Sequence, residues 1–420
     1  MKKIEEYKKS NIDWMHDIPK NWDLVKPKFR LKKVDRIPEK DDEIITCFRD
    51  GVVTLRKNRR IDGFTNSIKE HGYQQILPGD LVVHEMDAFE GAIGISDSKG
   101  KSTPVYTVIE KDNLNDLRYI AYVLKEMSRT GKIESLSRSI RERTTDFRWK
   151  TWSNLYFPFP PKEEQIKISD TLDIKLKKIN FIEEKIFKKI ELLKEQRKCL
   201  ISNLVSKGLS KTKKYEDSNI SWIGKIPENY KLIKGKYLFK SQKQINKKMI
   251  NKNLLSLTLK GVINKDLHSN EGLRPENYET YQIFEKDDLV FKMIDLENIS
   301  TSRVGIVHEK GIMSSAYIRH IPNKKEIFPK YAYWFYFDLY NKEIYNSLGS
   351  GVRSTLSSDD LLDLKLPLPS IDDQREISNY LDFKTNNIDK NIEFHLKKIE
   401  CMKELSKTLI SGYVTGKIKC

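Results

Sequence analysis

Five short stretches gather residue types that contact nucleic acid. They are RDGVVTLRKNRR (49–60), RSIRERTTDFRWK (138–150), TLKGVINK (258–265), STSRVG (300–305) and GSGVRSTLSS (349–358). Arginine forks onto the O6/N7 edge of guanine, and amide side chains pair with adenine. Lysines and hydroxyls more often hold phosphates. The pattern singles out Arg49, Arg56, Lys57, Arg59, Arg60, Arg138, Arg141, Arg143, Arg148, Lys260, Lys265, Arg303, Gly351, Arg353, Ser354 and Thr355. Any one stretch reads equally well as a solvated face. Gly349 to Arg353 leans furthest toward function, because glycine lets a ligand approach the backbone closely.

Catalytic constellations are missing. GISDSKGKS (94–102) resembles a phosphate loop but puts five residues between Gly94 and Gly100 where the motif has four. A strand-like TPVYTVI follows it instead of a helix, so a glycine hairpin loop is the better reading. No Asn-Pro-Pro-Tyr or Asp-Pro-Pro-Tyr tetrapeptide is present, and no glycine fingerprint for a methyl-donor cofactor. The seven histidines are dispersed; His84, His308 and His320 fall in strand-like stretches and His395 on a helix. Cys47, Cys199, Cys401 and Cys420 form no Cys-x-x-Cys pair, which speaks against zinc ribbons and redox motifs. Catalytic, metal-binding and cofactor-binding residues are therefore expected to be none in this chain.

The chemistry left is binding. The chain has 77 Lys and Arg against 60 Asp and Glu, a formal net charge of +17. Such a surplus suits a polyanion, since neutralised phosphates release counterions. With 38% hydrophobic and 33% charged residues over 420 positions, the chain reads as soluble, with room for two or three domains. No apolar run approaches the roughly 18–20 residues that span a bilayer. The start MKKIEEYKKSNIDW lacks the apolar stretch of a secretory signal, so a reducing cytoplasm is expected.

An internal repeat organises all of this. SNIDWMHDIP (10–19) returns as SNISWIGKIP (218–227). YQQILPGDLVVHEMD (73–87) lies over YQIFEKDDLVFKMID (281–295) without a gap, and Gly94, Gly100 and Tyr106 pair with Gly305, Gly311 and Tyr317. LYFPFPPKEEQIKISDTLD (155–173) matches LKLPLPSIDDQREISNYLD (364–382), and ELLKEQRKCLIS (191–202) matches ECMKELSKTLIS (400–411). The offset stays between 208 and 211 through every block, which marks a tandem duplication of a unit of about 200 residues.

Each unit opens with a mixed α/β part. DLVVHEM, TPVYTVI, DDLVFKM and AYIRHI read as strands, and 117–129 and 331–348 as helices. Each unit closes with one long helix, begun after Pro160-Pro161 or Pro369-Ser370 with acids in its first turn. Leu172, Leu176, Ile179, Ile182, Ile186, Ile190, Leu193, Leu200 and Leu204 form the first apolar seam, which skips a step at Arg197. Leu381, Ile388, Ile392, Leu396, Ile399, Met402, Leu405 and Leu409 form the second. Steps of three and four are a coiled-coil seam, so the two helices are expected to pair antiparallel. Helices of about 40 residues reach roughly 60 Å. Trp14 and Trp222 are expected to anchor each head, against the helix end from the other repeat. Because the heads agree in scaffold and differ in loops, they should read different half-sites of a duplex, separated by an unread spacer.

In these features the chain resembles the specificity (S) subunit of a type I restriction–modification enzyme. The resemblance rests on SW-I-G-x-IP opening each unit, on the proline-flanked helix start with Gln165 and Ile168 or Gln374 and Ile377, and on the full repeat. It covers essentially the whole chain. It implies an α+β fold of two tandem repeats, each a mixed α/β target-recognition domain followed by a long conserved helix, with the two helices pairing as an antiparallel coiled coil. The expected boundaries are 1–157 and 209–366 for the recognition domains, 158–208 for the first helix and 367–420 for the second with its tail. It implies double-stranded DNA with a bipartite site, two methyltransferase (M) subunits and restriction (R) subunits as partners. S-adenosylmethionine, ATP and Mg belong to those partner subunits. The second helix start reads PLPSIDDQ, and the first head lacks the Gly-x-Gly-x-Arg loop, so Arg141 and Arg143 match Arg353 only loosely. A non-catalytic DNA-binding scaffold or anti-restriction relative keeps the same layout. A self-contained methyltransferase or nuclease needs motifs that the sequence lacks.

Overall fold

The computed structural model describes residues 6–59, 71–136, 147–209, 214–265, 278–294, 296, 302–349 and 355–419. The chain forms two compact units, Met1–Ile186 with Leu396–Cys420, and Phe187–His395. The first is discontinuous and the second continuous, and each takes part of both long helices.

In the first unit a hairpin, Tyr7–Ile12 with Met15–Pro19, opens the head. A three-stranded antiparallel sheet follows, ordered Tyr106–Ile109, Leu81–His84, Ile93–Ile95. Two short pairs flank it: Ile45–Cys47 with Val53–Leu55, and Gln74–Ile76 with Gly100–Ser102. The segment from Gly94 to Gly100 therefore joins two sheets and closes no hairpin, unlike the reading from sequence. Its glycine has a packing reason: a Cβ on Gly94 would lie 2.0 Å from the Gly51 carbonyl oxygen. Helix α1 (Leu117–Arg129) is capped by Asp116, whose carboxylate accepts the Arg118 N–H. Single turns α2 (Lys132–Ser135) and α3 (Trp149–Trp152) complete the head.

The duplicated peptide at each unit's start has a local cause. Asn11 and Asn219 both adopt φ 55°, a left-handed conformation that asparagine tolerates. The hydroxyls of Ser10 and Ser218 accept the N–H of Ile12 and Ile220, at 3.0 and 3.2 Å. Trp14 and Trp222 are only half-buried beside the cores, whereas Trp22 and Tyr230 are buried within them. The anchoring role expected of Trp14 thus falls to Trp22. Its ring lies 3.3 Å from the Cβ position of Gly416, just past the second long helix.

Helix α4 (Lys162–Lys207) starts after Pro160-Pro161 with Glu163 and Glu164 in its first turn, and Gly208 at φ 72° follows it. The second head repeats the plan. Its sheet gains an edge strand, giving the order Phe239–Ser241, Ile318–Pro322, Leu289–Phe291, Val304–Ile306. A single turn α5 (Gly235–Leu238) precedes that edge. The hairpin Leu255–Thr258 with Gly261–Asn264 and the pair Gln282–Phe284 with Gly311–Met313 match those of the first head. The helix expected over 331–348 is two helices, α6 (Pro329–Asn341) and α7 (Ile344–Leu348). Glu343, at φ 58°, breaks it without a glycine or proline to announce the break. The short α8 (Ser358–Asp363) carries a Ser357–Asp360 capping box.

Helix α9 (Ile371–Val414) runs antiparallel to α4. In the first unit Lys175, early in α4, donates to the Tyr413 hydroxyl, late in α9, at 2.8 Å. In the second unit Arg197, late in α4, pairs with Asp389, early in α9, at 2.9 Å. Leu172, Ile179, Ile186, Ile190 and Leu204 are buried as expected, and so are Leu381, Ile388, Ile399 and Met402. Ile182, Leu396 and Leu405 are 43%, 46% and 49% exposed. The seam takes the neighbouring positions Glu183, His395 and Ser406, which keep the alternation of three and four. Among the described residues no helix is long and apolar enough to cross a membrane.

Candidate nucleic-acid interface

In the first head the basic residues cluster at the tip of the hairpin Ile45–Cys47/Val53–Leu55 and the 3-10 turn after it. Arg49 bridges Asp87 and Glu90 at 3.4 and 2.5 Å, and Lys57 pairs with Glu43 at 2.5 Å. Arg59 pairs with Asp50 at 2.7 Å and lies over the Phe48 ring. Burial works against the Asp50 charge, but the Arg59 guanidinium, the Val52 N–H and the charge of Lys125 together hold that carboxyl below its ordinary value. Arg56 donates from Nε to the Thr46 hydroxyl. Arg148, 69% exposed, lies 3.9 Å from Glu85. Exposed pairs of this kind are worth about 0–1 kcal/mol. A phosphate can take an acid's place at small cost, so the cations are held in position and remain available.

In the second head Lys260 stands at the tip of the matching hairpin, with Leu259 beside it 61% exposed. Lys265 follows the second strand, its N–H bound to the Leu254 carbonyl. A recess of about 520 Å³ opens beside this hairpin, lined by Lys260, Asn264, Ile306, His308 and Tyr333. His308 Nε2 lies 2.9 Å from Asn264 Oδ1 across it. The sequence reading included Asn264 in the stretch 258–265 without singling it out, and gave His308 and Tyr333 no role, since one dispersed histidine and one aromatic on a helix carry no signal.

Arg303 is placed differently from the exposed loop expected of it. It is 2% exposed, and its guanidinium donates to the Ile294 carbonyl at 3.1 Å. A cation so buried and engaged braces the fold rather than meeting a phosphate. Thr355 is exposed. Arg60, Arg138, Arg141, Arg143, Gly351, Arg353 and Ser354 lie outside the described residues. Among the described residues no cluster of His, Cys, Asp or Glu is arranged to hold a metal ion.

The two heads are seated on the long helices by the same set of contacts. Gln165 accepts the Asp116 N–H at 3.0 Å and donates to the Pro160 carbonyl at 2.9 Å. Gln374 accepts the Phe328 N–H at 2.8 Å and donates to the Pro369 carbonyl at 3.0 Å. Both amides are buried, where an unpaired group would cost about 1–3 kcal/mol. Asp173 receives Arg118 and the Tyr122 hydroxyl; Asp382 receives Lys330 and the Trp334 indole. The Tyr119 hydroxyl reaches Pro158 and Val414 carbonyls, and the Tyr331 hydroxyl reaches Pro367 and Val205 carbonyls. The scaffold is thus duplicated contact by contact while the surface cations differ.

The family model for the type I restriction modification DNA specificity domain matches residues 51–192 and 206–400, one match for each repeat. The chain belongs to this family. It is similar to two Methanocaldococcus jannaschii proteins, the type I restriction enzyme MjaVIII specificity subunit and the putative type I restriction enzyme MjaX specificity subunit. The first is 23% identical over 99% of this chain and 98% of that protein; the second is 21% identical over 99% and 97%. The fold is similar to a chain from a structure described as the basis of complex assembly and conformational transition of the type I R-M system. That match has a TM-score of 0.66 and 10% identity and covers 96% of this chain and 99% of the other. The HsdS subunit of Thermoanaerobacter tengcongensis matches with a TM-score of 0.53 and 11% identity, covering 96% and 98%. The chain is therefore a DNA specificity subunit of the type I restriction–modification family, a component whose part in such a system is recognition and not catalysis.

Proposed function

We propose that this specificity subunit reads a bipartite DNA site, one half with each head, and that its paired helices set the unread spacer. The recognition domains are 1–157 and 209–366, with the helices in 158–208 and 367–420. The observation that carries the reading is the contrast between matching seats and differing loops. Gln165 and Gln374 hold both heads alike, while the first hairpin bears Arg49, Lys57 and Arg59 and the second bears Lys260 and Lys265. Two readers on one scaffold suit two unrelated half-sites.

The helices also dock two methyltransferase subunits, and restriction subunits join that core, in the cytoplasm. Exposed apolar side chains favour such docking: Ile174 and Phe181 in the first unit, Phe383 and Phe394 in the second, each more than half exposed. The methyl donor, ATP and Mg are bound by those partners. Co-expression with a methyltransferase partner, followed by mapping of methylated adenines, tests the reading. A gapped motif supports it; a single uninterrupted motif contradicts it.

A further inference from the structure

We propose that Arg197 is a register key: it fixes how α4 and α9 align beside the second head, and so which spacer length the subunit accepts. The inference rests on the bipartite reading above and deepens it.

The apolar seam of α4 has a gap. Apolar residues mark α4 up to Leu193 and again from Leu200, and the position between them is Arg197. The structure keeps that position in the seam, with its side chain 21% exposed. Its guanidinium reaches two other helices. Nε lies 2.9 Å from Asp389 of α9, and Cζ lies 5.5 Å from the Phe337 ring centre on α6. Phe337 belongs to an aromatic group with Tyr333 and Trp334, and Trp334 in turn donates to Asp382 of α9. Tyr333 lines the recess beside the Lys260 hairpin.

Apolar seams tolerate sliding, because one leucine replaces another. A charged seam residue tied to one acid does not, since a shifted register takes that acid away. Sliding α9 by one heptad brings to the site of Asp389 either Leu396 or Asp382, and Asp382 is already held by Lys330 and Trp334. The key belongs to one head only. The repeat-equivalents of Arg197, Asp389 and Phe337 are Ser406, Asn180 and Lys125, which cannot form the same ion pair and ring contact.

The test maps methylated sites for the full chain co-expressed with its methyltransferase, as wild type, Arg197→Leu, Arg197→Lys and Asp389→Asn. Wild type should give one gapped motif with one spacer. Arg197→Leu should keep both half-sites and its melting temperature, yet admit spacers one base pair longer or shorter. Such sites should rise about tenfold over wild type, the discrimination that one ion pair and one cation–π contact supply. Asp389→Asn should show the same relaxation, and Arg197→Lys, which keeps the charge, a smaller one. If Arg197→Leu fails to assemble, Asp389→Asn decides alone. An unchanged single spacer in the assembled variant, with or without a lower melting temperature, overturns the key while leaving the bipartite reading intact. An ungapped motif in wild type overturns both.

Discussion

The Tyr331 hydroxyl donates to the Val205 carbonyl at 3.0 Å, so the second head closes on the last turn of a helix that belongs to the first repeat. The same hydroxyl reaches the Pro367 carbonyl at 2.6 Å. Tyr331→Phe leaves both buried carbonyls without this donor. It should lower stability by about 1–2 kcal/mol. Urea unfolding checks this, and Tyr119→Phe, whose contacts are 3.2 and 3.5 Å, should cost less.

Arg303 separates a structural cation from a binding one. Arg303→Met should cost about 1–3 kcal/mol of stability, because the buried Arg303 side chain loses its part-buried bond to the Ile294 carbonyl. The same substitution should leave the salt dependence of DNA binding unchanged. Denaturation and salt titration together distinguish the two roles.

Arg59 should behave in the opposite way. It is an exposed cation held by Asp50. Arg59→Ala should change stability by less than about 1 kcal/mol. It should weaken DNA binding evenly across sequences and reduce the slope of log K against log salt by about one. Binding isotherms at several salt concentrations measure that slope.

His320 sets an acid limit for the second head. It is buried, stacked on Phe239, and burial pushes its pKa from the ordinary imidazole value down to about 4. The folded state therefore binds fewer protons than the unfolded chain between about 6.5 and 4. The stability this group permits is fully present above about pH 6.5 and is lost as pH falls toward 4. The loss by pH 4.5 should be roughly 2–3 kcal/mol. His320→Phe should flatten that part of the stability–pH curve.

Much of this fold was legible because local chemistry agreed with it. The bounds of α1 follow from Asp116 and the apolar spacing, and both long helices begin where proline and acids place them. The seam was legible in period and not in membership. Counting apolar residues favours Ile182, Leu396 and Leu405, while the inward-facing line passes through the half-buried Glu183, His395 and Ser406. Polar seam residues are settled by partners elsewhere in the chain, as Asp389 and Phe337 settle Arg197. The burial of Arg303 was hidden for the same reason, since its acceptor carbonyl comes from a neighbouring segment. The basic loops were visible as composition. Their acid partners, and the recess beside Lys260, emerged only with the tertiary structure.

Changing the ruler tests the central claim most directly. One heptad inserted into both long helices, after Gln196 and after Leu405, adds about 10 Å, or roughly three base pairs of duplex. Methylated adenines mapped in cells carrying this variant and its methyltransferase should show both half-sites unchanged and the spacer lengthened. An assembled, active variant that methylates with the original spacer would contradict the account.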